Sequence, residues 1–449
     1  MRDDGRGPAR YAGAMTLRIL FSFFAAVCAA SPAAAALSPA EQTMIRTVDA
    51  EQPRMLAALE SWVNQNSGTM NVAGVDAVRR MVEPEFRQLG FATEWIDMKA
   101  AGRAGHLIAR HAGSKRGKRL LLIAHLDTVF EAESPFQRWV RDGDTAHGPG
   151  ASDDKGGVAV IVAALRAMQA AGTLKQANIT VFLTGDEEDA GSPIAIARRD
   201  LIAAGKQADI ALDFEPLAHD NGLDMGSTAR RSAGSWTLTV TGRSGHSAGV
   251  GSPDAGYGAI YELARILDQF RRELPEDKLT YNVGLVGGGQ AAQLDQGKIR
   301  VQASGKTNII AATAVARGDL RAISPEQIER VRGRMRALTA QSLPGAHAEI
   351  TFDEDSYPPM PPTAGNRALL ARLNGVNRDM GMPEMGELDP ADRGAGDISF
   401  VAADVDGLVG LGTAGGGTHT DKETADIPSI FKQAKRAAIL MSRLASEHR

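Results

Sequence analysis

The stretch RLLLIAHLD (residues 119–127) is a continuous apolar run of strand length, and NITVFLTGDEE (178–188) and ADIALDFEP (208–216) read as two further buried strands. Such runs need cover on both faces, which a parallel sheet flanked by helices supplies. The segments between them, GVAVIVAALRAMQAAG (157–172) and the region around IAIARRDLIAAG (194–205), carry helical period. Strand, helix, strand, helix, strand implies right-handed crossovers and a mostly parallel sheet. Open sheets of this kind bind ligands in the crevice beyond their strand C-termini.

Before these strands, EQPRMLAALESWVNQ and DAVRRMVEPEFRQLG predict two amphipathic helices, the second stopping at Gly90. Near Ser227 the texture changes. SWTLTVTGRSGHSA alternates apolar and polar residues, as a sheet open to solvent on one face does, and YGAIYELARILDQFRREL follows as a helix. Two more alternating strands, the helix PEQIERVRGRMRALTAQ and a last strand, HAEITFDE, complete the β-α-β-β-α-β order of a ferredoxin-like unit. The Pro-rich SYPPMPPTAG reads as a linker, after which ALLARLNGVNRDMG and FKQAKRAAILMSRLAS return to helical period. The expected fold is therefore α/β, interrupted by an inserted α+β unit. The expected divisions are 1–36 a leader, 37–227 the first part of the α/β domain, 228–354 the insert and 355–449 the remainder of the α/β domain.

The 449 residues carry 50 basic against 54 acidic side chains, a formal charge of -4, which gives no long-range pull toward nucleic acid. From Met15 to Ala36 a charged start at Arg18, a short apolar run and the small residues Ala34, Ala35 and Ala36 read as a secretory signal cleaved near Leu37. Residues 1–14 are then an over-extended start. Removing residues 1–36 would take four arginines and two aspartates, leaving -6. The expectation is a secreted, periplasmic protein without stable membrane association. The single cysteine, Cys28, falls within the leader, so disulfides, thiolate ligands and a cysteine nucleophile are excluded from the mature chain.

Chemistry concentrates at the strand ends. His125 and Asp127 are alternate residues at the end of the first strand, so their side chains leave in one direction. The second ends in Glu187 and Glu188, the third in Glu215, and the Gly-rich loop GPGASDDKGG brings Asp153 and Asp154 to the start of the intervening helix. Carboxylates crowded in a crevice raise one another's pKa unless a cation neutralises them. Imidazole with carboxylate and no thiolate suits Zn, Co, Mn or Fe over Mg or Ca. Five or six candidate ligands exceed the need of one tetrahedral zinc, so two ions sharing a carboxylate fit better, and GGGTHTDK supplies a second histidine, His419.

The motifs HLD, GPGASDDKGG, TGDEE, DFEP and THTDK, in this order and with an insert before the last, resemble the co-catalytic zinc exopeptidases and N-acyl amino-acid amidohydrolases. This is peptidase family twenty, which includes carboxypeptidase G-type enzymes, glutamate carboxypeptidase, aminoacylases and succinyl-diaminopimelate desuccinylase. The resemblance implies a catalytic domain with a ferredoxin-like lid that often forms a homodimer, and a cofactor of two Zn2+, with Co2+ or Mn2+ as substitutes. It implies that Asp153 bridges the ions, that His125 and Glu215 complete one and Glu188 and His419 the other, and that Asp127 orients the ring of His125. Glu187 would be the general base. In the lid, His246 of GRSGHSA would steady the oxyanion, often from the neighbouring subunit, while Asn308 and Arg321 would contact substrate, Arg321 gripping a carboxylate. GPG where many relatives have GRG favours the carboxypeptidase G-type branch, and Glu215 in place of Asp points toward carboxypeptidases and aminoacylases. NIIA lacks the proline that many relatives carry after NII, and the stretch GGQAAQLDQGKIRVQASGK precedes it as an extra.

The expected activity is hydrolysis of the amide bond before a C-terminal amino acid, glutamate being one candidate. The alternatives are an N-acyl amino-acid deacylase or dipeptidase and, from another class, a non-catalytic exported binding protein. Asp154 reads as a helix N-terminal residue more than a ligand. His106, His111, His147, His219, His347 and His448 read as surface or satisfied histidines.

Overall fold

The computed structural model describes residues 37–449; the leader expectation for residues 1–36 lies outside them. In chain order the principal elements are α1 (Pro39–Asn64), α2 (Val72–Gln88), β1 (Ala92–Asp97), β2 (Gly105–His111), β3 (Arg119–His125), α3 (Lys155–Ala170), β4 (Asn178–Thr184), α4 (Arg199–Gln207) and β5 (Ile210–Asp213). Then come β6 (Gly234–Gly242), α5 (Ala259–Glu273), β7 (Leu285–Gly289), β8 (Thr313–Arg321), α6 (Pro325–Thr339), β9 (Ala346–Phe352), α7 (Ala364–Asp379), β10 (Gly407–Val409) and α8 (Ile427–Ser446).

Helix ends follow local chemistry. Ser38 and Glu41 form a reciprocal capping box ahead of Pro39, and α2 starts on an Asn71 cap and stops before Gly90, whose φ of 85° suits a residue without Cβ. The segment 194–205, expected as one helix, is instead split at Arg198 into a short turn, Ile194–Ala197, and α4. The chain bends where the Arg198 guanidinium is drawn inward onto Asp186 and Asp397.

The central sheet runs β1-β2-β4-β3-β5-β10. Strands β4, β3, β5 and β10 are parallel, while β1 and β2 add an antiparallel hairpin at one edge. Both faces are covered. Leu120, Leu122 and Ala124 join the core under α1, α3 and α8, whereas Leu121 and Ile123 face a second core with Leu201, Ile398 and Val401. This two-sided burial is the reason for the unbroken apolar run. β10, which follows the inserted unit in sequence, pairs with β5, which precedes it.

The inserted unit has sheet order β7-β8-β6-β9, all antiparallel, with α5 and α6 packed on one face. This is the ferredoxin-like arrangement. On β6, Trp236, Leu238 and Val240 enter the core while the alternate threonines do not. The extra stretch before Asn308 forms a hairpin, Ala291–Leu294 against Val301–Ser304. Among the described residues no helix is long and apolar enough to cross a membrane.

Candidate metal centre

Three strand ends and two loops converge beyond the carboxyl edge of the sheet. β3 ends at His125 itself, whereas β5 ends at Asp213 and Glu215 stands two residues past it. The helix start at Lys155 is pressed against this edge. A Cβ at Gly156 would lie 2.4 Å from the Ala151 carbonyl, and one at Gly157 would lie 2.2 Å from both Asp154 Oδ1 and the Phe214 carbonyl. Only glycines let the loop bearing Asp153 approach the β5 end this closely.

All five expected ligands meet there. Asp153 Oδ1 is 3.0 Å from His125 Nε2, and its other oxygen is 3.4 Å from His419 Nε2. Glu215 Oε1 lies 3.6 Å from His125 Nε2, and Glu188 Oε2 lies 3.0 Å from His419 Nε2. Two ligand sets, His125 with Asp153 and Glu188, and His125 with Glu187 and Glu215, have donor atoms within 4.8 Å of one another. His419 sits in the left-handed region at φ 63°, on the exposed side of the cluster. The donor set fits a pair of divalent cations: one carboxylate offers an oxygen to each side, and each side adds one imidazole and one further carboxylate.

Protonation follows from crowding. Burial pushes Glu187 well above the ordinary carboxylate range, with the Glu215 charge adding to it, and burial lifts Glu188 to about 7. Asp153 and Glu188 hold a proton on His419 and raise it to about 11. Bound cations would displace these protons and take over the neutralising role.

Asp127 organises the edge. Its backbone carbonyl lies 3.1 Å from His125 Nδ1 and its Oδ1 3.3 Å, so it does face the ring. The same carboxylate also accepts from Thr69 Oγ1 at 2.6 Å and from the backbone N–H groups of Glu187 at 3.0 Å and Glu188 at 3.2 Å. Asp154 accepts from the His125 N–H at 3.3 Å and makes no contact of ligand type, as its place at the helix start suggested.

The lid residues stand apart from the cluster. His246 is exposed, its Nδ1 accepting from the Ala248 N–H, and it pairs with Ile309 beside the exposed Asn308. Arg321 lies at the opposite end of β8, its Nε held by Asp319 at 2.9 Å. Among the described residues of one chain, no hydrogen bond or ion pair joins His246, Asn308 or Arg321 to the metal-type ligands. Two further histidines are satisfied as expected: buried His106 by the Ala197 carbonyl, and His219 by Asp224.

Three other participants were not among the expected residues. Glu423 is buried and accepts from the Ser152 and Asp153 N–H groups at 3.0 and 3.1 Å, fixing the loop that presents Asp153. Arg230 donates to Glu215 at 3.2 and 3.3 Å. Tyr357, from the Pro-rich linker, donates to the Glu187 carbonyl at 2.7 Å. The fourth residue after His419 was the available signal for Glu423; the other two become legible only when the chain is folded.

The sequence model of peptidase family M20/M25/M40 matches residues 121–443. The chain belongs to this family. M20 relatives include carboxypeptidase G2 of Pseudomonas sp. strain RS-16, 29% identical over 421 residues that cover 90% of this chain and 93% of that protein. A succinyl-diaminopimelate desuccinylase of Azoarcus sp. strain BH72 is 31% identical over 234 residues, covering 51% of this chain and 58% of the relative. A dinuclear metal-binding M20 peptidase from Bacillus subtilis superposes with a TM-score of 0.62 at 16% identity, covering 88% of this chain and 99% of that one. The M20 chain described here is thus a hydrolytic metallopeptidase or amidohydrolase with a mixed α/β catalytic fold and a lid.

Proposed function

We propose that this M20 enzyme holds two Zn2+, with Co2+ or Mn2+ as substitutes, and hydrolyses the amide bond preceding a C-terminal amino acid. The observation that carries the reading is Asp153, whose two carboxylate oxygens face two different histidines, each accompanied by its own glutamate. Metal ions bound there would supply Lewis-acid polarisation of the scissile carbonyl and a nucleophile near neutral pH. His125, Glu215 and Asp153 would hold one, and His419, Glu188 and Asp153 the other.

Glu187 takes the proton from the attacking water and returns it to the leaving amine nitrogen. Its role is supported by its position: it is half-buried beside Glu215, and its peptide is gripped at the N–H by Asp127 and at the carbonyl by Tyr357. The resemblance to carboxypeptidase G2 favours release of a C-terminal residue, glutamate among the candidates, over deacylation of N-acyl amino acids or dipeptide cleavage. His246 and Asn308 are proposed to act from the lid of a second copy. That dimer is supported by the large apolar side chains the lid exposes, Tyr257, Ile260, Tyr261, Val283 and Val286. We also retain residues 1–36 as an export signal leading to a periplasmic location, on the sequence pattern alone.

The test is Glu187→Gln in zinc-loaded protein, assayed on a panel of N-acyl amino acids and dipeptides. Turnover should vanish while two metal ions per chain remain bound. Hydrolysis surviving in this variant would refute the assignment of the base.

A further inference from the structure

The loop Ala391–Gly394, between α7 and β10, gathers arginines from two domains. Arg231 donates from Nη2 to the Ala391 carbonyl at 2.9 Å and from Nη1 to Thr280 at 3.0 Å. Arg230 donates from Nε to the Gly394 carbonyl at 2.7 Å, and Nη1 of Arg321 would lie 4.0 Å from a Cβ placed on Gly394. Arg393 belongs to the loop itself and donates from Nη2 to the carbonyl of Pro216, the residue after the metal-type ligand Glu215.

Most arginines near carboxylates in this protein are paired with them. Arg393 is not: its Nε is buried and finds no acceptor, and it forms no ion pair among the described residues. Burial depresses its basicity and Arg230 repels it, while Glu215, Asp153 and Asp213 attract it. None of these accepts a hydrogen bond from it. Cations bound at Asp153 and Glu215 would take up that negative charge and leave the half-buried guanidinium unbalanced. A group in that condition is expected to have an anionic partner that arrives with the ligand.

We propose that Arg393 is the receptor for the α-carboxylate of the residue released from the substrate, with Arg321 approaching the same loop from the lid. The inference rests on the hydrolytic reading above and adds to it the residue that determines selection of a free C-terminus. A guanidinium matches a carboxylate through paired N–H donors, and Arg393, held by one donor to the residue after Glu215, has no acceptor at Nε.

The experiment compares an N-acyl amino acid with its C-terminal carboxamide, using the zinc-loaded enzyme and the variants R393Q and R393K. R393Q should lower kcat/KM on the free acid about 100-fold and leave the carboxamide within about threefold. R393K, which keeps charge without the fork, should recover part of the loss, and it carries the same comparison should R393Q fail to fold. Equal losses on acid and carboxamide, or no loss on the acid, would overturn the proposal and mark Arg393 as a structural clamp on Pro216. If the wild type hydrolyses neither compound, the functional reading falls and this inference with it.

Discussion

Replacing Tyr357 by Phe removes one oxygen from the point where the lid linker meets the loop of Glu187. Residues 230–233 and 357–360, the two chain crossings between catalytic domain and lid, bridge each other through Arg230 with Met360 and Ala233 with Tyr357. From this ribbon the Tyr357 hydroxyl donates to the Glu187 carbonyl at 2.7 Å and accepts from Arg198 Nη2 at 3.2 Å. Burial holds the phenol well above its ordinary pKa, so it remains a donor across the working range. One neutral bond and one charge-assisted bond are lost, worth about 1 and about 2 kcal/mol. Arg198 keeps Asp186 and Asp397, so the net destabilisation should be about 2 kcal/mol. The Glu187 N–H stays on Asp127, but its carbonyl is released, and a slightly misplaced base should lower kcat about tenfold. Substrate contacts are untouched, so KM should hold. Denaturant unfolding, steady-state kinetics and metal analysis on the one variant decide the matter. A kcat within twofold of wild type, at full metal content, would refute the idea that the linker positions the base.

Further outcomes follow from single groups. Asp153→Asn leaves one neutral carbonyl oxygen in place of two charged ones, so elemental analysis should find at most one ion per chain; two tightly held ions would contradict the bridging role. Asp224 is half-buried, which alone would raise its carboxyl, yet Lys432 and Arg436 hold it below the ordinary value. Its contribution is therefore complete above the unfolded pKa of about 3.9 and is lost as pH falls through the lowered native value. Melting temperature followed from pH 7 down to about 3 should fall less steeply in Asp224→Asn than in wild type; parallel curves would remove this cluster from the acid response.

Much of this arrangement was legible in the chain because local chemistry and tertiary demand coincide. RLLLIAHLD reads as a doubly covered strand because its alternate leucines do enter two different cores. The five candidate ligands could be picked out because each sits at or just past a strand end or on a glycine-lined loop, positions where polar residues have no packing reason to gather. The edge hairpin β1–β2 and the break at Arg198 were not legible. The first depends on pairing with a strand about 70 residues away, the second on two acidic partners, one of them about 200 positions later.

The sequence by itself determined which residue types could neutralise a pair of cations, and the order of strands and helices that delivers them to one edge, since periodicity and glycine placement are local properties. Only the tertiary structure decided that Asp153 turns one oxygen to each histidine, that Asp127 and Tyr357 grip the peptide of Glu187, and that Arg393 is left without an anion. Those facts depend on distances between groups far apart along the chain, which no local pattern encodes.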